Sequence, residues 1–152
     1  MQRAPSDAAS SRIHELVEIR LRQGQLRYTT GRRTVVEVLF RAGHPLRISE
    51  IERRAPDLPR SSAYRHLVDL QGVGAVRSLS AAGDFTHFEL SEDLTEHHHH
   101  LLCVRCGGIQ DVTPTAAFEK IVEATIDDFV AATGFTPLSH SLDVMGYCRS
   151  CA

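Results

Sequence analysis

The sequence predicts an α+β protein, an N-terminal winged helix-turn-helix followed by a small α/β unit that carries a structural zinc site. Three observations predict it. Apolar residues recur at helical spacing through residues 10–74. The period then changes to that of a strand pair over 75–90. Finally, all four cysteines stand in two Cys-x-x-Cys pairs, one opening and one closing the last third of the chain.

The first helix is expected in SSRIHELVEIRLRQG, where Ile13, Leu16, Val17 and Leu21 share one face. Ser10 or Ser11 can cap its start, and Gly24 stands where it should stop. Residues 1–9 are small and polar and are expected to be disordered. A second helix fits TTGRRTVVEVLFRAG, with Val35, Val36, Leu39 and Phe40 inward and Gly43 at its end. ISEIERRA reads as a short third helix stopped by Pro56. PRSSAYRHLVDLQGVG reads as the fourth, with Pro59 and Ser61 or Ser62 at its start and Leu67, Val68 and Leu70 buried. AVRSLSAAGDFTHFEL then reads as a hairpin turning at Ala81-Ala82-Gly83-Asp84. Helices followed by such a hairpin describe a winged helix-turn-helix, whose fourth helix would enter the major groove of DNA. SEDLTE is the expected linker. Beyond it, strands in HLLCV, IQDV and HSLDVMG and a helix over 115–133 make a small α/β unit. The expected organisation is a DNA-binding domain over 1–90, a hinge over 91–96 and a metal-binding domain over 97–152.

Composition is that of an ordinary globular protein, 42% hydrophobic and 24% charged, with no apolar run of membrane-spanning length. The N-terminus lacks a signal-peptide core, so a cytoplasmic address is expected, where cysteines serve as metal ligands rather than disulfides. The net charge of −2 hides a split. Up to Ala82 there are 14 Arg and no Lys against 8 carboxylates, and from Gly83 onward 3 basic residues against 11 carboxylates. An Arg-rich first half suggests a polyanion-binding module, although chance variation between two solvated surfaces would look the same.

Cys103, Cys106, Cys148 and Cys151 use every thiol of the chain. Four thiolates close the coordination sphere of zinc and leave no position open for substrate, so the site is structural. Redox pairs and unpaired structural thiols are the alternatives. Just before the first pair stand four consecutive histidines, His97 to His100. In an extended chain their side chains alternate, so His98 and His100 face one way and His97 and His99 the other. One run can thus serve two sites. Glu89, Asp111, His140, Glu119 and Glu123 are further donors within reach, and imidazole with carboxylate suits Fe²⁺, Zn²⁺ or Mn²⁺. An exposed polar linker is the bland alternative. His14, His66 and His87 read as surface or satisfied histidines.

From about Gly24 to the C-terminus the pattern resembles the ferric uptake regulator family of bacterial metal-dependent repressors. The stretches that carry the likeness are LRYTTGRR, SSAYRHL, FEL, HHHHLLCVRCG, LSHSLDVMGYC and CRSC. The resemblance implies a homodimer, formed through the second domain, that binds a palindromic double-stranded operator when metal-loaded. It places Tyr64 and Arg65 on the recognition helix, Arg27 towards the minor groove, and Ser61 and Ser62 at the helix start. It implies a regulatory site of Glu89, His98 and His100, with His44 or Asp111 as possible additions. A further site would hold His97, His99 and His140 with Glu119, or Glu123 as the alternative carboxylate. The regulatory site has no cysteine, unlike that of some zinc-sensing relatives, which points to iron, with zinc or manganese as the alternatives. Glu89 stands where peroxide sensors carry Asp. The reading is of a regulator and not an enzyme; a zinc-dependent metalloenzyme is the remote alternative.

Overall fold

The computed structural model describes residues 6–80 and 86–152. Helices α1 (Asp7–Gln23), α2 (Thr30–Ala42), α3 (Ile48–Arg54) and α4 (Arg60–Gly72) come first, with a two-residue strand β1 (Leu46–Arg47) between α2 and α3. Strands β2 (Val76–Ser80) and β3 (Thr86–Leu90) follow, and β3 lies between β1 and β2 in an antiparallel sheet. This is the expected winged helix-turn-helix. Its core unites Val17 and Leu21 of α1, Val35, Val36 and Leu39 of α2, Ile51 of α3, and Leu67 and Leu70 of α4. The inward face of the sheet adds Leu46, Val76, Phe88 and Leu90. The expected turn at 81–84 lies outside the described residues.

Four local expectations are corrected. The first helix begins at Asp7, so residues 7–9, expected to be disordered, are helical, and residues 1–5 lie outside the described residues. Ser6 caps this helix by accepting a hydrogen bond from the Ala9 N–H, and Asp7 complements the helix dipole. Ser10, expected as the cap, is instead buried and donates to the Glu37 carboxylate at 2.7 Å. In α4, Pro59 occupies the cap position, which moves Ser61 and Ser62 into the first turn. Val68 is 65% exposed rather than buried, because the helical turn carries it away from the inward Leu67 and Leu70 onto the face of Tyr64. The strand β1 carried no periodic signal, since two residues are too few to show one.

A single turn of 3₁₀ helix at Glu92–Leu94 leads on, with Leu94 packed into the N-terminal core. Strands β4 (His99–Cys103), β5 (Ile109–Val112) and β6 (Asp143–Gly146) form a second sheet with β4 in the centre, antiparallel to β5 and parallel to β6. The connection from β5 to β6 runs through α5 (Ala116–Val130). No residue of α5 is buried, and Phe118, Ile121 and Phe129 are exposed along it. Among the described residues no helix is long and apolar enough to cross a membrane.

Candidate metal centres and nucleic-acid interface

The two Cys-x-x-Cys pairs are brought to one point by the second sheet. Cys103 ends β4, and β6 runs beside it to deliver Cys148 and Cys151 from the chain end. A turn closes after Cys103: the Gly107 N–H donates to the Cys103 carbonyl at 2.9 Å, with Gly107 at φ 66°, a conformation that favours glycine. The four sulfurs lie within 4.8 Å of one another, and the Cys106 and Cys148 sulfurs are 3.8 Å apart. Sulfurs about 2.3 Å from a tetrahedral zinc would lie ~3.8 Å apart, whereas a disulfide needs about 2.05 Å. The group therefore fits zinc. Backbone N–H groups of Cys106 and Cys148 draw the pKa of the Cys103 thiol down to about 6. Crowding by the Cys148, Cys106 and Cys103 sulfurs pushes that of Cys151 up to about 12. Four thiolates this close need a cation between them to be ionised together.

The histidine run separates as strand geometry requires. His98 and His100 turn to Glu89, whose Oε2 lies 3.1 Å from His98 Nε2 and whose Oε1 lies 3.3 Å from His100 Nε2. Asp111, paired with His100 across β4 and β5, completes a four-donor cluster. Its Oδ1 is buried without a hydrogen-bond partner, and burial raises its pKa. Burial alone would raise Glu89 as well. Hydrogen bonds from His100 and His98 and the Arg77 guanidinium outweigh it and hold the carboxyl at about 2. The same hydrogen bond, donated to the Glu89 carboxylate, lifts His98 to about 9. His100 is almost wholly buried, and its Nδ1 meets the Asp143 carboxylate at 3.0 Å. That contact orients the ring and leaves Nε2 for the cluster. His44 stands outside the four donors, on the wall of an ~860 Å³ cavity that Glu89, His98 and Asp111 also line.

His97 and His99 turn the other way, to Glu119 of α5 and to His140. His99 Nε2 lies 2.9 Å from Glu119 Oε1, and His97 Nε2 and His140 Nε2 lie 3.3 and 3.1 Å from its Oε2. The last two nitrogens are buried and approach the carboxylate without the alignment of a hydrogen bond. Donors that converge on a point without bonding to each other are what a cation between them would use. Glu123, one turn along α5, is exposed and outside the cluster. The two histidine clusters are linked through one guanidinium. Arg77 pairs with Glu89 and also reaches Glu92 Oε1 at 3.2 Å, while Glu92 Oε2 lies 3.5 Å from His97 Nδ1. Sequence reasoning missed Arg77, Glu92 and Asp143; only Arg77 had a signal, as a basic residue inside the expected hairpin.

Helix α4 exposes Ser61, Tyr64, Arg65 and Val68, at positions spaced 0, 3, 4 and 7 along one face. Arg60 lies over the Tyr64 ring at 5.9 Å. Arg27 is exposed in the loop between α1 and α2. Of the three unassigned histidines, His14 is held by Tyr28 and Glu37, and His87 is buried beside Arg47. His66 packs over Gly31, where a Cβ would come within 2.3 Å of its ring.

The ferric uptake regulator family model matches residues 23–145, from the end of α1 through the winged module and both histidine clusters, and stops short of Cys148 and Cys151. The chain belongs to this family. The ferric uptake regulation protein of Legionella pneumophila is 26% identical over 136 residues, 86% of this chain and 95% of that one. The peroxide-responsive repressor PerR of Staphylococcus aureus is also 26% identical, over 146 residues, 91% and 92% of the two chains. In three dimensions the Helicobacter pylori ferric uptake regulator superposes with a TM-score of 0.72 at 23% identity, covering 99% of this chain and 97% of that one. That likeness extends the family's fold over almost the whole length.

Proposed function

We propose that this family member is a metal-responsive transcriptional repressor that binds a palindromic DNA operator as a homodimer and uses Glu89, His98 and His100, with Asp111, as its regulatory site. One observation carries the reading. Glu89 belongs to the winged module, whereas His98, His100 and Asp111 belong to the second, so one cluster draws its donors from both. A bound divalent cation supplies positive charge that only the closed arrangement can coordinate fully. The chain's own residues do the rest. Asp143 holds His100, Arg77 holds Glu89, and the strand β3 carries that carboxylate rigidly into the sheet under α4. Two recognition helices in a dimer must stand about one DNA turn apart, ~34–36 Å or a multiple. An unrestrained angle between the modules populates many separations and lowers apparent affinity by the competent fraction.

We assign Fe²⁺ to the regulatory site, with Mn²⁺ and Zn²⁺ as the alternatives, because the donors are imidazoles and carboxylates without a thiolate. The cysteine cluster is proposed to hold structural Zn²⁺, and His97, His99, His140 and Glu119 a further ion. Tyr64, Arg65, Ser61, Ser62 and Arg27 are proposed to contact DNA. The second subunit is proposed to cover α5 and β6, whose Phe118, Ile121, Phe129, Val144 and Met145 are exposed in the single chain. The decisive experiment measures operator binding by the apo protein, zinc retained, as each metal is added. His98→Ala and His100→Ala should abolish metal-dependent binding and keep zinc and the dimer. His97→Ala and His99→Ala should have smaller effects. Metal-independent operator binding by the wild type, or equal loss in all four variants, overturns this reading.

A further inference from the structure

The winged sheet has a second face. Pairing across β1, β3 and β2 puts Arg47 opposite His87, Leu79 opposite His87, and Arg77 opposite Glu89. All five point away from the helices, since alternate residues Leu46, Phe88, Leu90 and Val76 fill the core. A solvated wing would expose that face. Here His87, Glu89 and Leu79 are all less than a tenth exposed. The second module covers it at two places. One is Glu89, met by His98 and His100. The other is Arg47, which donates through its terminal nitrogen to the carbonyl of Cys106 at 2.8 Å while its Nε lies 3.1 Å from His87 Nε2. His87 and Glu89 are two residues apart on one strand, about 7 Å. The two grips therefore act on the same short segment.

We propose that Arg47 is a latch between the thiolate knuckle and the winged module, and that it positions Glu89 for the regulatory cation. The Cys106 carbonyl is a good anchor, because the turn that carries it is closed by the Gly107-to-Cys103 and Cys103-to-Gly108 backbone hydrogen bonds and by the cysteine cluster. A guanidinium donating to a carbonyl makes a charge-assisted hydrogen bond, stronger than a neutral one. It needs no regulatory cation, so it shortens the search of the apo protein for the closed arrangement. The cysteine site thereby gains a second role, since knuckle geometry is passed to the DNA-binding module through the Arg47 side chain. Arg47 is a positioning residue on this view; it touches neither cation nor operator.

The inference rests on the regulatory-site reading above, and its test is read without DNA. Mn²⁺ is titrated into zinc-containing protein with free Mn²⁺ followed by electron paramagnetic resonance. A His140→Ala background removes the other histidine cluster from the readout. Arg47→Met should weaken Mn²⁺ binding by about three- to tenfold, the span expected for losing one charge-assisted hydrogen bond. Zinc content and dimer mass should not change. Arg47→Lys keeps the charge but cannot span both His87 and Cys106, so it should weaken binding in the same direction, and it serves if the Met variant folds poorly. The backbone part Arg47 plays at the start of α3, donating to Glu50 at 2.8 Å, survives either change. Unchanged Mn²⁺ affinity in both variants overturns the latch. A parent that binds no Mn²⁺, or whose Mn²⁺ affinity Glu89→Gln leaves unchanged, would overturn the regulatory site itself.

Discussion

At the scale of single residues, the choice between Glu119 and Glu123 is one of direction on a helix. Both stand one turn apart, and only Glu119 points at His97, His99 and His140. Glu119→Gln should remove one bound divalent ion per chain in a metal titration, and Glu123→Gln should leave the count unchanged. A second prediction concerns Glu37. Burial would raise its pKa, but hydrogen bonds from Ser10, His14 and Arg41 outweigh this and lower it. A carboxylate depressed in the folded state contributes stability above its unfolded pKa, and that contribution is lost as pH falls through the folded value. Urea midpoints of the wild type should therefore drop below about pH 4.5, and Glu37→Gln should flatten that drop while lowering stability at pH 7. An equal acid slope in both proteins would assign the stabilisation elsewhere. The alternation of the four histidines was legible in the sequence, because side-chain direction in a strand follows from backbone geometry alone. Arg77, Asp143 and Glu92 were not, because their roles depend on which strands become neighbours.

At the scale of elements, α4 shows where periodicity misleads. Val68 is apolar and adjacent to Leu67, so it reads as core, yet it stands 65% exposed four residues after Tyr64. Helices lying in the major groove read bases from positions spaced like Ser61, Tyr64, Arg65 and Val68. A valine there can meet a thymine methyl. Val68→Ala should lower operator affinity about fourfold, the worth of roughly one buried methylene, and leave the urea midpoint unchanged. A destabilised protein with unaltered DNA affinity would return Val68 to a packing role. In α5 the misfit runs the other way. The helix is strongly apolar, and the single chain fully buries no residue of it. Ile121→Glu with Phe129→Glu should convert a dimer to monomers in analytical ultracentrifugation, since each exposed apolar side chain is stabilised only when a partner covers it.

At the scale of the whole molecule, the cysteine cluster holds the two ends of the second module together, from β4 to the last residues of the chain. Cys148→Ser should lose one zinc per chain by atomic absorption and destabilise that module by about 3 kcal/mol or more, because binding energy at a structural site is folding energy. Full zinc content with an intact dimer would show that three thiolates suffice. The same variant should weaken Mn²⁺ binding at Glu89, His98 and His100 if Arg47 carries knuckle geometry to the winged module.

The fold class, the order of the elements and the grouping of the thiols were determined by the sequence itself. Each rests on local rules: apolar spacing along a helix, alternation along a strand, and paired ligands with two residues between them. The start of α1, the outward turn of Val68 and the choice of Glu119 were decided by tertiary structure. So was the meeting of Arg47 with Cys106, fifty-nine residues away. No local rule reaches that far: a guanidinium finds a distant carbonyl only after two sheets have packed, and the packing is set by every side chain in the contact at once.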